Sequence, residues 1–420
     1  MKIAVWHNLP SGGASRALHQ HIKGLSERGH HIEVWTSSLA DSKFLDVDQY
    51  VAKTHILPLT IATRVRVDYI DNVRSLLFLN STRIKRMLAF CQHCADQIEE
   101  GDFDILFANS CHYFNMPYIG RFVNKLPKLL YLQEPNRSLY EASPELVWTG
   151  LPSIQQHYFD PSYYSQYIQD LLHTHRARVL VREELINYRS YDKILVNSYF
   201  SNESLIRAYG GPGEVCYLGI DPALFPFQNL PREPFVMGLG SFHPPKRADA
   251  AIEALSRIPK PLRPKLVWVG NIGDKNYLAS LVDMSQRLGV VFEPRQYVSQ
   301  DELVHLLNTA SCLLYTSALE PFGFAPLEAN ACGLPVVAIG EGGVRETVID
   351  GYNGLITTRN QNDIAAALQR VLTDSALFER LSANGRQIVT EKWSINDAVN
   401  RLEDALYATL NSRVARTPSL

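Results

Sequence analysis

The sequence predicts an α/β protein built from two doubly wound domains that are joined by one linker. Short apolar runs alternate with amphipathic segments along both halves of the chain, which is typical of parallel sheets with helices on both faces. The alternation starts again after a proline-rich stretch at residues 221–234. At ~150 residues per domain, 420 residues suffice for two or three domains. With 46% hydrophobic and 20% charged residues, the composition excludes a disordered chain.

Residues 1–220 are expected to form the first domain. Its strands are predicted at Lys2–Trp6, Ile32–Thr36, Ile105–Ala108, Leu129–Gln133 and Ile194–Asn197. A helix is predicted over Ala14–Arg28, ended by Gly29, because glycine adopts the left-handed conformation most easily. The tyrosine-rich stretch Tyr140–Tyr191 is too long for a plain loop, so we expect it to be mostly helical and to add a functional surface.

Residues 235–394 are expected to form the second domain, after the linker 221–234. Its strands are predicted at Phe235–Leu239, Leu266–Val269, Cys312–Tyr315 and Pro335–Ile339, and its first helices at Ala248–Arg257 and Ser299–Thr309. The chain is predicted to be helical from Asp363, with a last helix at 395–410 before a polar tail, 411–420. Ligands of doubly wound sheets bind at the carboxyl ends of the strands, so we expect the site in the cleft between the domains.

The charge and the cysteine content narrow the class of function. Lys and Arg number 41 against 43 Asp and Glu, a formal charge of −2, so no nucleic-acid partner is expected. We find no charged leader followed by an apolar stretch and no run near the ~18 apolar residues of a membrane span. Six cysteines are too few for a disulfide scaffold in a chain of this size. The expected location is cytoplasmic.

One segment suggests a membrane surface as a partner. Residues 61–90 carry six basic and two acidic residues, a net charge of +4, interleaved with apolar side chains. A basic amphipathic segment can lie on an anionic lipid surface, so peripheral contact with the inner face of the membrane is a hypothesis. The alternative is a charged outer face over a buried inner one.

The strongest motif is EPFGFAPLE, in which seven residues separate Glu320 from Glu328. Gly323 lets the backbone approach a ligand closely. A helix that begins near Ala325 directs free backbone N–H groups and the positive end of its dipole at this loop, which suits a diphosphate. Glu328, in the first turn, can reach a ribose hydroxyl. The candidate anion-binding residues are Phe322, Gly323, Phe324 and Ala325. The alternative is an ordinary helix start with an acidic dipole partner.

The surroundings of this motif carry a family resemblance. SQDELVHLLNTASCLLYTSALE precedes it, ACGLPVVAIGEGGVRETVIDGYNGLI follows it, and GGASRALHQHIKGLSERGHHIEVWT lies near the start of the chain. Together they resemble retaining GT-B glycosyltransferases of the group 1 / family 4 type, whose paired-glutamate signature matches Glu320 and Glu328. The resemblance covers nearly the whole chain. It implies two Rossmann-like domains that face each other across a cleft, and a nucleotide-diphosphate sugar as donor.

The resemblance also implies roles for residues that bind the donor. The loop with Gly12 and Gly13 would face the phosphates and the sugar. Lys246, after the first strand of the second domain, would neutralise the diphosphate leaving group without a metal. The family usually has an arginine where this chain has Ser241, so half of the cationic clamp is missing, and Arg247 is the candidate replacement.

Two histidine positions of the family are altered in this chain. One follows a strand resembling DILFA, where the ungapped match is Asn109, with His112 three residues on. Either residue is a candidate contact of the sugar. The other histidine position lies at the end of the next strand, where this chain has Gln133, followed by Glu134. The surrounding run YLQEPNRSLYE resembles a subgroup of the family in which QEP replaces that histidine. These are candidate contacts of the sugar or the acceptor, with capping of strand-exit loops as the alternative.

Three short patterns resemble metal sites. Asp46–Asp48 and Asp102–Asp104 have the spacing of the metal motif of the other glycosyltransferase fold but lack its context. Cys91 and Cys94 have CxxC spacing, yet zinc needs four properly spaced ligands, so we favour packing cysteines. The sequence therefore predicts no metal site and no cofactor.

The sequence thus predicts a metal-independent, retaining glycosyltransferase acting on a glycan, lipid-linked or small-molecule acceptor. Glu320 and Lys246 would act at the reacting centre, and the C-terminal helix would pack back on the first domain. The alternatives are a sugar-nucleotide 2-epimerase of the same fold, a nicotinamide-dependent oxidoreductase and a catalytically dead partner subunit. The oxidoreductase needs an acid at the end of the second strand, whereas Glu33 lies within that strand. The base, the sugar and the acceptor are not specified.

Overall fold

The computed structural model describes residues 1–40, 45–61, 82–141, 161–271 and 273–414. The chain divides into two compact units, one made of Met1–Cys216 with the residues from Val399 onward, the other of Tyr217–Ala398. Each unit contains a parallel sheet with helices, so the predicted class of two doubly wound α/β domains is confirmed. No helix in the described ranges has both the length and the apolar character that crossing a membrane requires.

The first unit contains a seven-stranded parallel sheet. Its strands are β1 (Lys2–Asn8), β2 (His31–Ser37), β3 (Lys53–Leu57), β4 (Ile105–Cys111), β5 (Lys128–Gln133), β6 (Lys193–Val196) and β7 (Glu214–Val215). Their order in the sheet is β3-β2-β1-β4-β5-β6-β7. The helices are α1 (Gly13–Glu27), α2 (Thr82–Glu100), α3 (Arg137–Tyr140), α4 (Pro161–Tyr188) and α5 (Tyr199–Tyr209). Every residue of β4 is buried, as expected for a central strand covered on both faces.

The second unit contains a six-stranded parallel sheet. Its strands are β8 (Phe235–Leu239), β9 (Lys265–Val269), β10 (Phe292–Arg295), β11 (Cys312–Tyr315), β12 (Val336–Ile339) and β13 (Gly354–Thr357). Their order is β10-β9-β8-β11-β12-β13. The helices are α6 (Ala248–Ser256), α7 (Lys275–Leu288), α8 (Gln300–Thr309), α9 (Phe324–Ala331), α10 (Val344–Thr347), α11 (Gln361–Thr373), α12 (Ser375–Lys392) and α13 (Ile395–Val414).

The strands that the sequence does not predict are short, polar or at a sheet edge. Strand β10 is at an edge, and its four residues (FEPR) are all only partly buried. Glu293 on β10 pairs with Lys265 at 3.0 Å and with Arg295 at 2.5 Å. Because an edge strand buries one face at most, its sequence lacks the continuous apolar run that marks the central strands.

Residues 221–234 belong to the second unit and contact its other elements. The backbone N–H of Gln228 donates to Asn308 Oδ1 at 2.8 Å, and the guanidinium of Arg232 donates to the carbonyl oxygens of Leu307 and Gly333 at 2.9 and 3.0 Å. The stretch follows the surface of the unit, so its apolar residues show neither helix nor strand periodicity. Its proline-rich composition alone suggests a linker.

The C-terminal helix α13 belongs to both units, since its residues from Val399 onward lie in the first. Glu403 accepts hydrogen bonds from Arg28 and His30, both at 2.7 Å. A Cβ atom added to Gly24 would lie 2.5 Å from Val399 Cγ2. The absence of a side chain at position 24 thus lets α13 pack closely on α1.

Several predicted features fall partly outside the described residues. Helix α4 occupies the second half of the tyrosine-rich stretch, whereas residues 142–160 lie outside the described ranges. Of the basic segment 61–90, residues 62–81 are not described, and residues 82–90 form the start of α2. The hypothesis of membrane contact through this segment therefore stays a prediction.

The strand orders identify one switch point in each sheet. Strands β1 to β3 extend to one side and β4 to β7 to the other, so the order reverses between β1 and β4. In the second sheet it reverses between β8 and β11. Open α/β sheets bind ligands beside the carboxyl ends of the two strands at such a point.

Candidate functional site

The loops at the switch point of the second sheet bring Lys246 and Glu320 together. Lys246 lies in the loop after β8 and Glu320 in the loop after β11. The Lys246 Nζ atom donates a hydrogen bond to Glu320 Oε2 at 2.5 Å, and the side chains are 27% and 23% exposed. A mostly buried but reachable cation and carboxylate thus lie where a doubly wound sheet binds its ligand.

Thr316 fixes the loop that carries Lys246. Its hydroxyl donates to the carbonyl oxygens of Lys246 at 3.0 Å and Arg247 at 2.9 Å. Arg247 has a left-handed backbone with φ of 54°. The backbone N–H of Ala318 also donates to the Pro245 carbonyl at 2.9 Å. The loop after β11 thus holds the loop after β8 in place, which the sequence does not reveal.

Two glycines fix the loop that carries Glu320. The backbone N–H of Gly343 donates to the Glu320 carbonyl at 2.7 Å. A Cβ atom on Gly342 would lie 2.3 Å from the Glu320 oxygen, and one on Gly343 would lie 1.9 Å from the Pro321 oxygen. The GG pair of the sequence GEGGVRE is therefore needed for close backbone contact with the glutamate loop.

Tyr315 lies beside the Glu320 side chain. This last residue of β11 is 4% exposed, and its hydroxyl group is close enough to Glu320 for the two to interact electrostatically. Burial raises the pKa of the Tyr315 hydroxyl well above its usual value, and the charges of Glu320 and Glu328 add to this rise. The phenol therefore stays protonated at neutral pH and can donate to Glu320. This role is not visible in the sequence, because Tyr315 belongs to an apolar strand.

Helix α9 begins at Phe324, with Gly323 as its N-cap at φ of 93°. The N-cap residue forms no side-chain cap hydrogen bond, and the first backbone N–H groups of the helix are directed at the loop. Phe322 is buried against Trp393 and Phe324, with ring centroids 5.6 and 5.4 Å apart. The helix start is thus anchored by packing while its N–H groups point at the loop.

The predicted position of Glu328 needs correction. Because α9 begins at Phe324, Glu328 lies in its second turn and not in the first. Its side chain is 3% exposed, close enough to Tyr315 and Cys332 for its charge to raise the pKa of both. Ala325, in the first turn, is 9% exposed.

Ser241 and Arg247 have different environments. Ser241 is partly buried, and its carbonyl accepts the backbone N–H of His243 at 2.8 Å. The Nη1 atom of Arg247 is buried without a hydrogen-bond partner among the described residues. A buried guanidinium nitrogen without a partner is costly unless an acceptor binds there. Arg247 therefore has a donor that a ligand would satisfy, and its role as the replacement for the family arginine stays a prediction.

The structure places the candidates Asn109 and His112 of the first unit in different positions relative to β4. Asn109 lies within β4, 1% exposed, and neither its Nδ2 nor its Oδ1 atom has a hydrogen-bond partner among the described residues. His112 lies beyond the strand end and is exposed, with its ring edge-on to Tyr113. At the neighbouring end of β1, Gly12 and Gly13 are exposed, and Gly12 has φ of 146°.

Gln133 and Glu134 follow at the end of β5. Gln133 is 8% exposed with φ of 70°, and its side-chain oxygen accepts from Asn197 Nδ2 at 3.3 Å. Glu134 Oε2 accepts from Arg137 Nε at 2.7 Å. A positive φ in a residue with a side chain is strained and is often found at binding sites.

The candidate metal ligands are engaged in other contacts. Asp102 pairs with Lys2 at 2.6 Å, and Cys91 and Cys94 are buried in the apolar core of the first unit. Asp46 and Asp48 are exposed. In the part of the chain that is described, no group of three or more His, Cys, Asp or Glu side chains is arranged to hold a metal ion.

A cavity of about 520 Å³ in the first unit lies away from these loops, at the amino ends of the strands. Glu33 lies there within β2 and contacts His55 at 2.7 Å and His31 at 3.4 Å. Ligands of doubly wound sheets bind at the opposite end, so we place the candidate site at the strand-exit loops. An acid that binds a dinucleotide is needed at the end of the second strand, whereas Glu33 lies within β2.

Comparisons with known proteins identify the family of the chain. The family model of glycosyltransferase family 4 matches residues 11–224, and that of group 1 glycosyl transferases matches residues 222–388. An uncharacterized glycosyltransferase of Methanocaldococcus jannaschii is 30% identical over 50% of this chain and 58% of that protein. A D-inositol 3-phosphate glycosyltransferase of Streptomyces bingchenggensis is 30% identical over 49% of this chain and 50% of that protein. The chain thus spans about half the length of these relatives.

Solved structures share the fold. The crystal structure of Anabaena HepE in complex with UDP covers 97% of this chain and 100% of its own, with a TM-score of 0.69 and 21% identity. The sucrose-phosphate synthase of Thermosynechococcus elongatus covers 98% of this chain and 100% of its own, with a TM-score of 0.72 and 18% identity.

Proposed function

The chain belongs to glycosyltransferase family 4, and we propose that it transfers a sugar from a nucleotide-diphosphate sugar to an acceptor. The proposed reaction retains the configuration at the anomeric carbon and needs no metal. The acceptor class is a glycan, a lipid-linked sugar or a small molecule. The observation that carries the proposal is the contact between Lys246 and Glu320 at the switch point of the second sheet.

The donor diphosphate lies, in this proposal, against the start of α9. Its charge is met by the first backbone N–H groups of the helix, beginning at Phe324, and by the positive end of the helix dipole. Lys246 exchanges its partner Glu320 for the diphosphate, and the buried nitrogen of Arg247 supplies a further donor. These groups stabilise the charge that the leaving diphosphate gains, which is the role a metal has elsewhere.

The two glutamates have separate roles in this proposal. Glu320, whose loop is held by the glycine pair, positions the sugar and stabilises positive charge at its anomeric carbon. The bond from that carbon to the phosphate oxygen breaks, the acceptor oxygen bonds on the same face, and the leaving phosphate takes the acceptor proton. Glu328 binds the ribose hydroxyls. In the first unit, Gly12, Gly13, Asn109 and His112 contact the donor sugar or phosphates, and Gln133 and Glu134 contact the sugar or the acceptor.

A ligand screen followed by three variants tests the proposal. We expect a nucleotide-diphosphate sugar to raise the melting temperature and to release nucleotide with a suitable acceptor, in the presence of EDTA. Glu320→Gln should lower kcat, whereas Glu328→Gln should mainly raise the donor KM, the mark of lost uniform binding. The matched control is Glu341→Gln, because this nearby carboxylate pairs with Arg359 and not with Lys246.

Three results would contradict the proposal. Stabilisation by NAD but by no sugar nucleotide would favour an oxidoreductase. Loss of activity in EDTA that manganese restores would disprove metal independence. A normal kcat for Glu320→Gln, with activity abolished in Glu328→Gln, would reverse the roles of the two glutamates.

A further inference from the structure

Helix α4 carries a buried carboxylate, Glu184, that the proposed reaction does not use. The side chain is 3% exposed. Its Oε1 atom accepts from Asn136 Nδ2 at 3.3 Å, and its Oε2 atom accepts from the hydroxyl groups of Tyr140 at 3.2 Å and Tyr209 at 3.0 Å. Among the described residues, no lysine or arginine forms an ion pair with it. A buried carboxylate held by neutral donors alone is uncommon, because burial disfavours the charge.

The preceding residue on the same helix, Glu183, shows the usual arrangement. It is 6% exposed and pairs with Arg121 Nη2 at 2.8 Å. The two adjacent carboxylates therefore have similar burial but different partners. Glu183 contacts a cation, whereas Glu184 contacts the segment that follows β5.

That segment, residues 133–141, carries Gln133 and Glu134. Its first residue has φ of 70°, and the Asn197 backbone N–H donates to its carbonyl at 3.3 Å. At its other end, Glu141 Oε1 accepts from Ser204 Oγ at 2.7 Å. Both ends of the segment are thus fixed to the second half of the unit. Its middle, with Asn136 and Tyr140, is fixed to Glu184.

We infer that Glu184 is the positioning residue of segment 133–141: its negative charge holds Asn136 and Tyr140, and neutralising it loosens the segment that presents Gln133 and Glu134. The link to acceptor or sugar binding rests on the proposed function. The positioning itself does not, because it follows from the contacts within the first unit.

The chemistry of the cluster supports this role. The ionised carboxylate accepts all three hydrogen bonds, whereas a protonated Oε2 atom would itself be a donor facing two tyrosine donors. The titratable groups that face it are Tyr140 on α3, Tyr209 on α5 and, less closely, Tyr118. Burial raises the pKa of all three hydroxyls, so they remain donors at neutral pH. Burial also raises the pKa of Glu184 to about 7, against the opposing effect of its three hydrogen bonds.

The substitution Glu184→Gln tests the inference because it keeps the shape of the side chain and removes its charge. The measurement is backbone hydrogen exchange of residues 134–141, comparing the variant with the unchanged protein at pH 8 and pH 5.5. We expect about tenfold faster exchange in the variant at pH 8, because the variant loses the equivalent of roughly one charge-assisted hydrogen bond. At pH 5.5 the difference should disappear, because Glu184 of the unchanged protein is then neutral, as the glutamine of the variant is at both pH values. Glu183→Gln is the matched control and should leave this segment unchanged.

Activity gives an additional readout. Glu184→Gln should raise the KM of the substrate that Gln133 and Glu134 contact, acceptor or donor sugar, at pH 8 and flatten the pH dependence of that KM. Equal exchange in the two proteins at pH 8, or the same effect from Glu183→Gln, would overturn the inference. If the protein shows no sugar transfer at all, the exchange data still decide whether Glu184 positions the segment, so the two failures can be told apart.

Discussion

The close contact between Gly342 and the Glu320 loop leads to a prediction with a built-in control. Gly342 has φ of 66°, and Gly351, nine residues on, has φ of 70°. An added Cβ atom at Gly342 would lie 2.3 Å from the Glu320 oxygen, whereas at Gly351 it would meet nothing within 4 Å. Gly342→Ala and Gly351→Ala therefore share the backbone strain, and only the first displaces the glutamate loop.

The expected magnitudes follow from these distances. A left-handed backbone costs an alanine about 1–2 kcal/mol at either position. At Gly342 the Glu320 carbonyl must also move by about 1 Å to reach ordinary van der Waals contact at 3.4 Å. Such overpacking adds about 1–3 kcal/mol. A displacement of about 1 Å at a reacting group can lower the rate about 100-fold.

The assay compares melting temperature and kcat for the two variants. We expect Gly351→Ala to be mildly destabilised with nearly normal kcat. Gly342→Ala should melt a few degrees lower and lose most of its kcat. Equal kcat values for both variants would refute the idea that the glycine pair positions Glu320. Loss of kcat together with loss of donor-induced stabilisation in Gly342→Ala would show that the whole loop has moved.

Three further predictions concern single residues. Lys246→Met keeps the aliphatic part of the side chain and removes the cation. We therefore expect kcat to fall about 100-fold, with little change in melting temperature. A kcat near normal would argue against a role of Lys246 in stabilising the leaving group. Asn109→Leu removes two buried polar atoms that lack partners among the described residues. The melting temperature should therefore stay the same or rise, while kcat/KM falls. An unchanged kcat/KM would show that Asn109 only packs in the core. Burial lowers the pKa of His21 to about 4, below the unfolded value of 6.5, so stability should fall as the pH drops through that window. His21→Phe should reduce the loss of unfolding free energy between pH 7 and pH 5 by about 2 kcal/mol, as measured by urea unfolding. An unchanged pH dependence of stability would show that burial of His21 is not its cause.

The sequence was sufficient for features that depend on local pattern. Central strands such as β8 and β11 are buried on both faces, so their apolar runs predict them with the observed bounds. The start of α9 was predicted to within one residue, because Gly323 and Pro326 favour that point. The edge strand β10 and the short strand β7 were missed, because a half-exposed or two-residue strand has no such run.

Only the tertiary structure decided which residues meet. Lys246 and Glu320 are 74 residues apart in sequence, and their contact depends on β8 and β11 being neighbours at the switch point. Helix α9 begins one residue earlier than the sequence predicts, so Glu328 lies in its second turn, where the side chain is buried. Asn109 and His112 are alike as sequence candidates, yet one lies inside a central strand and the other beyond its end. Glu183 and Glu184 are the same residue type at adjacent positions, and the roughly 100° turn between them on the helix gives them different partners.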